Sequence, residues 1–203
     1  MGVEMSQATS SAPTLSADDF IGSIGINTHI GYAWSSYNNL SLVTESLKYL
    51  GVNTLRDNLI GNAQAQPLMT ALAQAGYQFD LIVSSSTPAG GAPALAGYVD
   101  MISSFAKANP DSIIAIEGLN EANIQKFSYG GSWSMQAANQ FQSDFYAALK
   151  SNVVLKDIPV YNLSLAHDEK SAFLALGDTS AVSDYGNAHT YVSTNTTVKA
   201  ALA

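Results

Sequence analysis

The stretch Ile113 to Asn123, which reads I-I-A-I-E-G-L-N-E-A-N, decides how the rest of the chain is interpreted. It begins as a short apolar run typical of a strand buried on both faces, and it ends where Asn120 and Glu121 stand side by side. In parallel α/β proteins the packed core stops at the carboxyl ends of the strands, and the loops that begin there carry the chemistry. A carboxylate at that point indicates a candidate functional site.

The composition limits the classes of protein to consider. The chain has 203 residues, of which 47% are hydrophobic and 12% charged, and this predicts one globular domain rather than a disordered chain. A net charge of -8 and the absence of a basic cluster argue against nucleic acid and anionic membranes as partners. No run approaches the 18 or so apolar residues of a membrane span. Because there is no cysteine, disulfides and thiolate metal sites are excluded.

Residues 1–17 are mostly small and polar and have neither the basic nor the apolar region of a Sec signal peptide. They are predicted to form a flexible N-terminal tail, and residues 18–203 to form the domain.

After this tail, short apolar segments alternate with segments whose apolar residues have helical spacing. The predicted strands are Phe20–Ile30, Val52–Arg56, Phe79–Val83, the central strand from Ile113, Ile158–Leu163 and Asp184–Tyr191. The predicted helices are Leu40–Leu50, Ala63–Ala75, Pro93–Ala108, Trp133–Lys150 and Lys170–Leu176, and Gly51, Gly76 and Gly177 follow three of them as C-caps. Consecutive β/α units without an interposed hairpin predict a parallel sheet covered by helices.

Two architectures fit this order of elements. A doubly wound sheet would carry a Gly-rich phosphate turn, and the candidate at residues 22–31, G-S-I-G-I-N-T-H-I-G, matches no phosphate-binding pattern. A (β/α)8 TIM barrel usually needs about 250 residues. The spacing of the units therefore predicts an α/β fold, a TIM barrel truncated to about its first six β/α units.

Polar residues stand at the carboxyl end of every predicted strand. They are Asn27, Thr28 and His29; Arg56 and Asp57; Ser84, Ser85 and Ser86; Asn120 and Glu121; Asn162 and Ser164; His189 and Tyr191. Together they are typical of a site that binds hydroxyl groups. The alternative is that strand ends are polar only because the loops that follow them are exposed to solvent.

The E-G-L-N-E-A-N segment resembles the fourth-strand signature of clan A glycoside hydrolases, often written E-x-W-N-E-P-N, of the xylosidase-like and endoglucanase-like kind. G-V-N-T-L-R-D at 51–57 is similar to the second-strand segment of these enzymes, and G-N-A-H-T-Y at 186–191 to a later H-x-Y. The resemblance covers about residues 18–203. It implies that Glu121 is the general acid/base of a retaining glycosidase that acts on β-linked oligo- or polysaccharides, and that Asn120 hydrogen-bonds the sugar 2-hydroxyl.

The sequence departs from the family pattern in two ways. Leu119 and Ala122 replace the usual aromatic residue and proline. More importantly, the family's nucleophile is a glutamate at the end of the seventh strand, and the sequence stops before that strand. Retaining glycosidases need two carboxyl groups about 5 to 5.5 Å apart. We therefore expect this chain to be an N-terminal part of a longer enzyme and to be inactive by itself.

Other residues receive expected roles in binding. Glu117 lies on the same side of its strand as Glu121 and is predicted to pair with Arg56, which could instead brace the nucleophile. His189 and Tyr191 share a strand face and are expected to contact substrate, unless they pack in the core. His29 is expected either to hydrogen-bond a sugar hydroxyl or to position a residue that does. Trp133, like Trp34, is expected either to stack on a sugar ring or to pack against a helix.

No cofactor or metal is expected, because the three histidines lack zinc-ligand spacing. The alternative function is a non-catalytic carbohydrate-binding or adaptor module built on an incomplete barrel, whose open sheet edges would favour self-association. The partner in either case is a carbohydrate. The resemblance implies an extracellular bacterial protein, although the N-terminus shows no Sec signal.

Overall fold

The computed structural model describes residues 14, 16–32, 34–59, 65–83, 92–167 and 170–189, and these form an α/β fold on a parallel five-stranded sheet. The strands are β1 (Gly25–Asn27), β2 (Thr54–Asp57), β3 (Gln78–Val83), β4 (Ile113–Leu119) and β5 (Val160–Tyr161). The helices are α1 (Ala17–Gly22), α2 (Leu40–Leu50), α3 (Ala65–Gln74), α4 (Ala92–Ala108), α5 (Met135–Ser151) and α6 (Lys170–Leu176), with 3-10 turns at Ser36–Asn38 and Ser180–Val182.

The order of the strands distinguishes the two predicted architectures. Each strand pairs in parallel with the strand before it in the chain, so that the sheet runs β1-β2-β3-β4-β5. A doubly wound sheet would reverse direction at a switch point, whereas a barrel adds its strands in sequence. The predicted fold class is confirmed: the chain forms consecutive β/α units of a barrel-type α/β fold.

Local signals fix the ends of helix α2 as predicted. The Asn39 side chain accepts a hydrogen bond from the Leu42 backbone N–H at 3.1 Å, which satisfies one of the unpaired N–H groups of the first turn. Gly51 ends the helix in the left-handed conformation, at φ 69°, which a residue with a Cβ adopts only with strain. The helix has the predicted bounds because Asn39 and Gly51 stop it at its two ends through local interactions.

The core lies between the sheet and the helices. Its largest fully buried side chains are Phe79, Phe141, Phe145, Ile30, Leu55, Leu59, Met69, Leu72, Leu81, Ile102, Ile116 and Leu119. Burial alternates along β2 and β3, as expected when one face of the sheet packs on helices. The opposite face of these strands carries Arg56 and Asp80.

The first predicted strand, Phe20–Ile30, is wrong in extent. Residues Ala17–Gly22 form helix α1, and only Gly25–Asn27 pair with β2. The Ser16 hydroxyl caps the helix by accepting a hydrogen bond from the Asp19 backbone N–H at 3.0 Å, and acidic residues in the first turn complement the helix dipole. The apolar residues of this segment predicted a strand, but the Ser16 cap stabilises a helix at its start.

The last two predicted strands are also shorter than expected. The fifth, predicted as Ile158–Leu163, is reduced to Val160–Tyr161, and within 184–189 only Tyr185 forms a bridge, with Tyr161. The Asn187 side chain hydrogen-bonds the Asn162 carbonyl at 3.2 Å, which is a side-chain alternative to a backbone ladder. The chain therefore approaches the sheet here without continuing it as a sixth strand.

Within the described part of the chain, no helix is long and apolar enough to cross a membrane. Most of the predicted tail, residues 1–13 and 15, lies outside that part, and so do Tyr191 and the polar strand end at residues 84–86.

Candidate active site

Arg56, near the end of β2, is the centre of a hydrogen-bond network at the carboxyl end of the sheet. Its guanidinium donates to both carboxylate oxygens of Glu117, from Nε at 2.7 Å and from Nη2 at 2.6 Å. Nη2 also donates to Asn120 Oδ1 at 3.1 Å, and it lies 3.3 Å from His189 Nε2. The predicted ion pair between Arg56 and Glu117 is therefore present, and it holds the guanidinium in a fixed plane.

Glu117 is almost fully buried but remains an anion. Burial by itself would raise its pKa, but the hydrogen bonds from Arg56 and Asp80, the positive charge of Arg56 and a 2.9 Å hydrogen bond from Asn187 outweigh it, so the pKa is lowered. With Arg56 on one side and Asn187 on the other, both of its oxygens have partners. Glu117 is thus placed to orient Arg56 rather than to react.

Asp80 on β3 completes this charged cluster. Its pKa is raised to about 8, chiefly because the side chain is buried. The hydrogen bond to Glu117 and the negative charge of Glu117 raise the pKa further, and the positive charge of Arg56 lowers it in part. At neutral pH Asp80 is therefore mostly protonated and can donate its proton to the Glu117 carboxylate. An acidic residue within the apolar segment F-D-L-I-V was the available sequence signal for it, and the sequence reasoning did not use it.

Glu121 follows β4 in a left-handed backbone conformation, with φ 49°. Its N–H donates to the Ser164 hydroxyl at 2.9 Å, and the next N–H, of Ala122, donates to the Ser164 carbonyl at 3.0 Å. These bonds connect the β4 exit to the segment after β5 and hold a conformation that non-glycine residues rarely adopt. The carboxylate thereby projects from a defined turn.

His189 connects the carboxylate of Glu121 to Arg56. Its Nδ1 lies 3.0 Å from Glu121 Oε1, and its Nε2 faces Arg56 Nη2 at 3.3 Å. A guanidinium can only donate, so Nε2 accepts, and the ring proton is assigned to Nδ1, which donates to Glu121. In this tautomer both ring nitrogens have partners, which holds the orientation of the ring.

The network also sets the protonation of Glu121. Burial would raise its pKa, but the hydrogen bonds from His189 and Gln125 and the positive charge of Arg56 outweigh this, so the pKa is lowered. The Gln125 amide, which sequence reasoning did not select, donates to Oε2 at 3.3 Å. In this arrangement Glu121 is an anion at neutral pH.

The other predicted site residues lie in loops at the same end of the sheet. The Trp133 indole donates from Nε1 to the carbonyl of Ala122, the residue after Glu121, at 3.3 Å. About half of the Trp133 surface is exposed. His29 follows β1 and stacks on Tyr32 with ring centroids 4.6 Å apart. The structure thus gathers Arg56, Asn120, Glu121 and His189 into one network. Trp133 contacts the residue after Glu121, His29 lies in the loop after β1, and Tyr191 lies outside the described residues.

Comparisons with known proteins agree with this fold. No protein-family model matches the chain, and no curated protein matches it. A solved structure of a monomeric beta-xylosidase from Caulobacter crescentus CB15 is similar, with TM-score 0.59 and 13% identity over 85% of this chain and 42% of that chain. The catalytic domain of GH30 xylanase C from Talaromyces cellulolyticus is similar too, with TM-score 0.52 and 13% identity over 81% of this chain and 52% of that chain.

The chain therefore spans about half, or less, of the length of these solved structures. At 13% identity the likeness establishes the fold that the chain shares with these two structures. The activity has to be argued from the site itself.

Proposed function

We propose that this chain supplies the acid/base side of a glycosidase active site that cleaves β-linked oligo- or polysaccharides. The observation that carries the proposal is the Glu121 carboxylate at the exit of β4, hydrogen-bonded to His189, whose other nitrogen binds Arg56. Glu121 acts as general acid on the leaving oxygen and then as general base on water. Asn120, held by Arg56, hydrogen-bonds a sugar hydroxyl, and His189 and Trp133 line the site.

A retaining reaction needs a second carboxylate about 5 to 5.5 Å from the first. Glu117 does not fit this role, because Arg56 and Asn187 already occupy its two oxygens. The second carboxylate is therefore proposed to come from residues outside those the structure describes.

The charge state of Glu121 supports this two-carboxylate scheme. A general acid must be protonated, yet the surroundings of Glu121 lower its pKa. An anionic nucleophile close to Glu121 would raise the pKa again, because two neighbouring carboxylates disfavour each other's ionisation. Glu121 becomes a competent acid when the second carboxylate is in place.

The test is hydrolysis of aryl β-glycosides by the full-length product of the source gene. Glu121→Gln should lower kcat/KM at least about 100-fold on substrates with poor leaving groups. The loss should be much smaller for the cleavage of a dinitrophenyl glycoside, whose leaving group needs no proton. The matched control is Glu45→Gln, on the exposed face of α2, which should leave the rates unchanged. Equal losses on both kinds of leaving group would contradict the acid role.

The lowered pKa of Glu121 also favours a second candidate, carbohydrate binding without hydrolysis. In that case the anionic Glu121 and the donors around it would bind sugar hydroxyls. Oligosaccharide binding that depends on Glu121, in a full-length protein without hydrolytic activity, would support this alternative.

A further inference from the structure

The loop after β1 carries a stack of aromatic rings. The His29 and Tyr32 rings are nearly parallel, 5° apart, with centroids at 4.6 Å, and Tyr32 stacks in turn on Trp34, at 5.1 Å and 17°. Trp34, at the end of the stack, is 82% exposed. We call these three residues the aromatic platform.

The platform does not act as a core anchor. A tryptophan that leaves most of its surface in water contributes little burial to folding, and a cluster of exposed rings is the kind of patch that marks a binding surface. The inner faces of the stack cover one another, so the outer face of Trp34 is the one presented to a ligand.

The base of this loop is fixed to the strand that carries Arg56. The buried Asp57 carboxylate accepts hydrogen bonds from the Thr28 hydroxyl at 2.7 Å and from the Ile30 N–H at 2.8 Å. The loop itself is tightened by a hydrogen bond from the Ser35 hydroxyl to the Tyr32 carbonyl at 2.7 Å. These bonds tie the base of the loop to β2 and tighten its turn, which favours pre-organised binding.

The chemistry of the loop selects a neutral ligand. Residues 25–40 contain no Asp, Glu, Lys or Arg, and they are rich in Asn, Ser and Thr. Aromatic rings also stack on nucleic acid bases, but a chain of net charge -8 without a basic patch repels a phosphate backbone. A sugar ring fits better, because its apolar C–H face suits an aromatic face and its hydroxyls suit the uncharged polar side chains.

The platform follows β1, whereas the residue proposed to cleave the bond follows β4. In the sheet β1 is three strands from β4, and at about 4.8 Å per strand this corresponds to about 14 Å along the sheet. We propose that the platform binds a sugar unit of an oligosaccharide remote from the unit at Glu121, so that the site selects chains of several units over single glycosides. This inference rests on the proposed carbohydrate site.

The experiment is a titration of this chain with neutral xylo- and gluco-oligosaccharides of one to six units, monitored by isothermal calorimetry. Affinity should rise with chain length up to the length that reaches the platform. Trp34→Ala should weaken binding of the long oligosaccharides by about 2- to 12-fold, as the loss of one aromatic stacking contact predicts, and should leave the shortest unaffected. Tyr49→Ala on α2, where the ring is 91% exposed, is the matched control and should change nothing.

The outcomes separate this inference from the proposed function. If the full-length protein hydrolyses aryl glycosides through Glu121 but Trp34→Ala leaves the preference for long chains unchanged, the platform inference is wrong and the proposed function stands. If Trp34→Ala abolishes self-association in light scattering and not sugar binding, the platform is a protein interface and the inference is again wrong. Length-dependent binding that is lost in Trp34→Ala supports the platform even without hydrolysis.

Discussion

Replacement of Arg56 by Met tests the charged cluster beneath the candidate site. Met keeps much of the apolar stem of Arg and removes the charge, so that the Glu117 carboxylate is left buried without its cation. The side chain of Glu117 is only 4% exposed and that of Arg56 20%, so water cannot replace the lost contacts well. The expected result is a large loss of stability at pH 7.

The magnitude follows from the contacts that disappear. Two hydrogen bonds between charged groups, at 2.7 and 2.6 Å, are removed. At about 1.5–3 kcal/mol each they predict a loss of about 3–6 kcal/mol, which overlaps the usual cost of about 3–5 kcal/mol for breaking a buried ion pair. With an m-value of about 2 kcal/mol per M of urea, the midpoint of unfolding should fall by about 2 M.

The assay is urea unfolding followed by circular dichroism, for the wild-type chain, Arg56→Met, Glu117→Gln and the double variant. The double variant should recover most of the stability, because the neutral amide that replaces the Glu117 carboxylate needs no cation and can still accept from Asn187. The folded state lowers the pKa of Glu117, so its contribution is present above about pH 4.5, its ordinary value, and is lost as the pH falls. The deficit of Arg56→Met should therefore shrink in acid.

Two results would refute this reasoning. A loss below about 1 kcal/mol in Arg56→Met would mean that the pair behaves like a solvent-screened surface salt bridge. A double variant as unstable as the single one would mean that the guanidinium stabilises the sheet by packing alone.

Three further predictions concern stability. Because the folded state raises the pKa of Asp80 to about 8, the folded chain holds an extra proton between about pH 4 and 8. The wild-type chain should therefore lose stability as the pH rises through this range, and Asp80→Asn should flatten the curve in urea titrations from about pH 4 to 9. In Gly118→Ala the new Cβ would lie 2.0 Å from Gln142 Oε1 and 2.9 Å from a backbone nitrogen. The substitution should therefore lower the free energy of unfolding by about 1–3 kcal/mol, as measured by thermal melts. Its matched control, Gly97→Ala in α4, meets nothing within 4 Å and should be neutral or stabilising. Asn39→Ala, which removes the N-cap of α2, should cost about 1 kcal/mol in the same assay, and an unchanged melting temperature would show that the cap is dispensable.

The polar strand ends were predicted from the sequence, and the structure brings several of them together. Arg56 lies near the end of β2 and Asn120 directly follows β4, and parallel strands end at a common edge of the sheet, so their positions in the sequence placed both at that edge. The pairing of Arg56 with Glu117 was predicted by the alternation of side chains along a strand. The catalytic and binding roles of Glu121, Asn120, His29, Arg56, His189, Tyr191 and Trp133 stay predictions.

Sequence reasoning did not predict the protonation states. A general acid begins its reaction protonated, yet the contact of Glu121 with His189, 68 positions away, lowers its pKa. The proton on Asp80 likewise depends first on the burial of Asp80 and then on its hydrogen bond to Glu117 and the negative charge of Glu117. Such effects depend on distances between charges of a few ångströms, and those distances arise only when remote strands are packed.

The sequence by itself determined the order of the β/α units, the bounds of α2 and α6 and the placement of a carboxylate at the end of β4. These features follow from local patterns: hydrophobic period, caps, and the change from apolar to polar residues. Only the tertiary structure decided that residues 17–22 form a helix beside a three-residue strand, that the chain near Tyr185 forms a bridge and not a strand, and which protons the site holds. The physical reason is that strand pairing, burial and charge interactions join residues far apart in the chain, and their free energies override local preference.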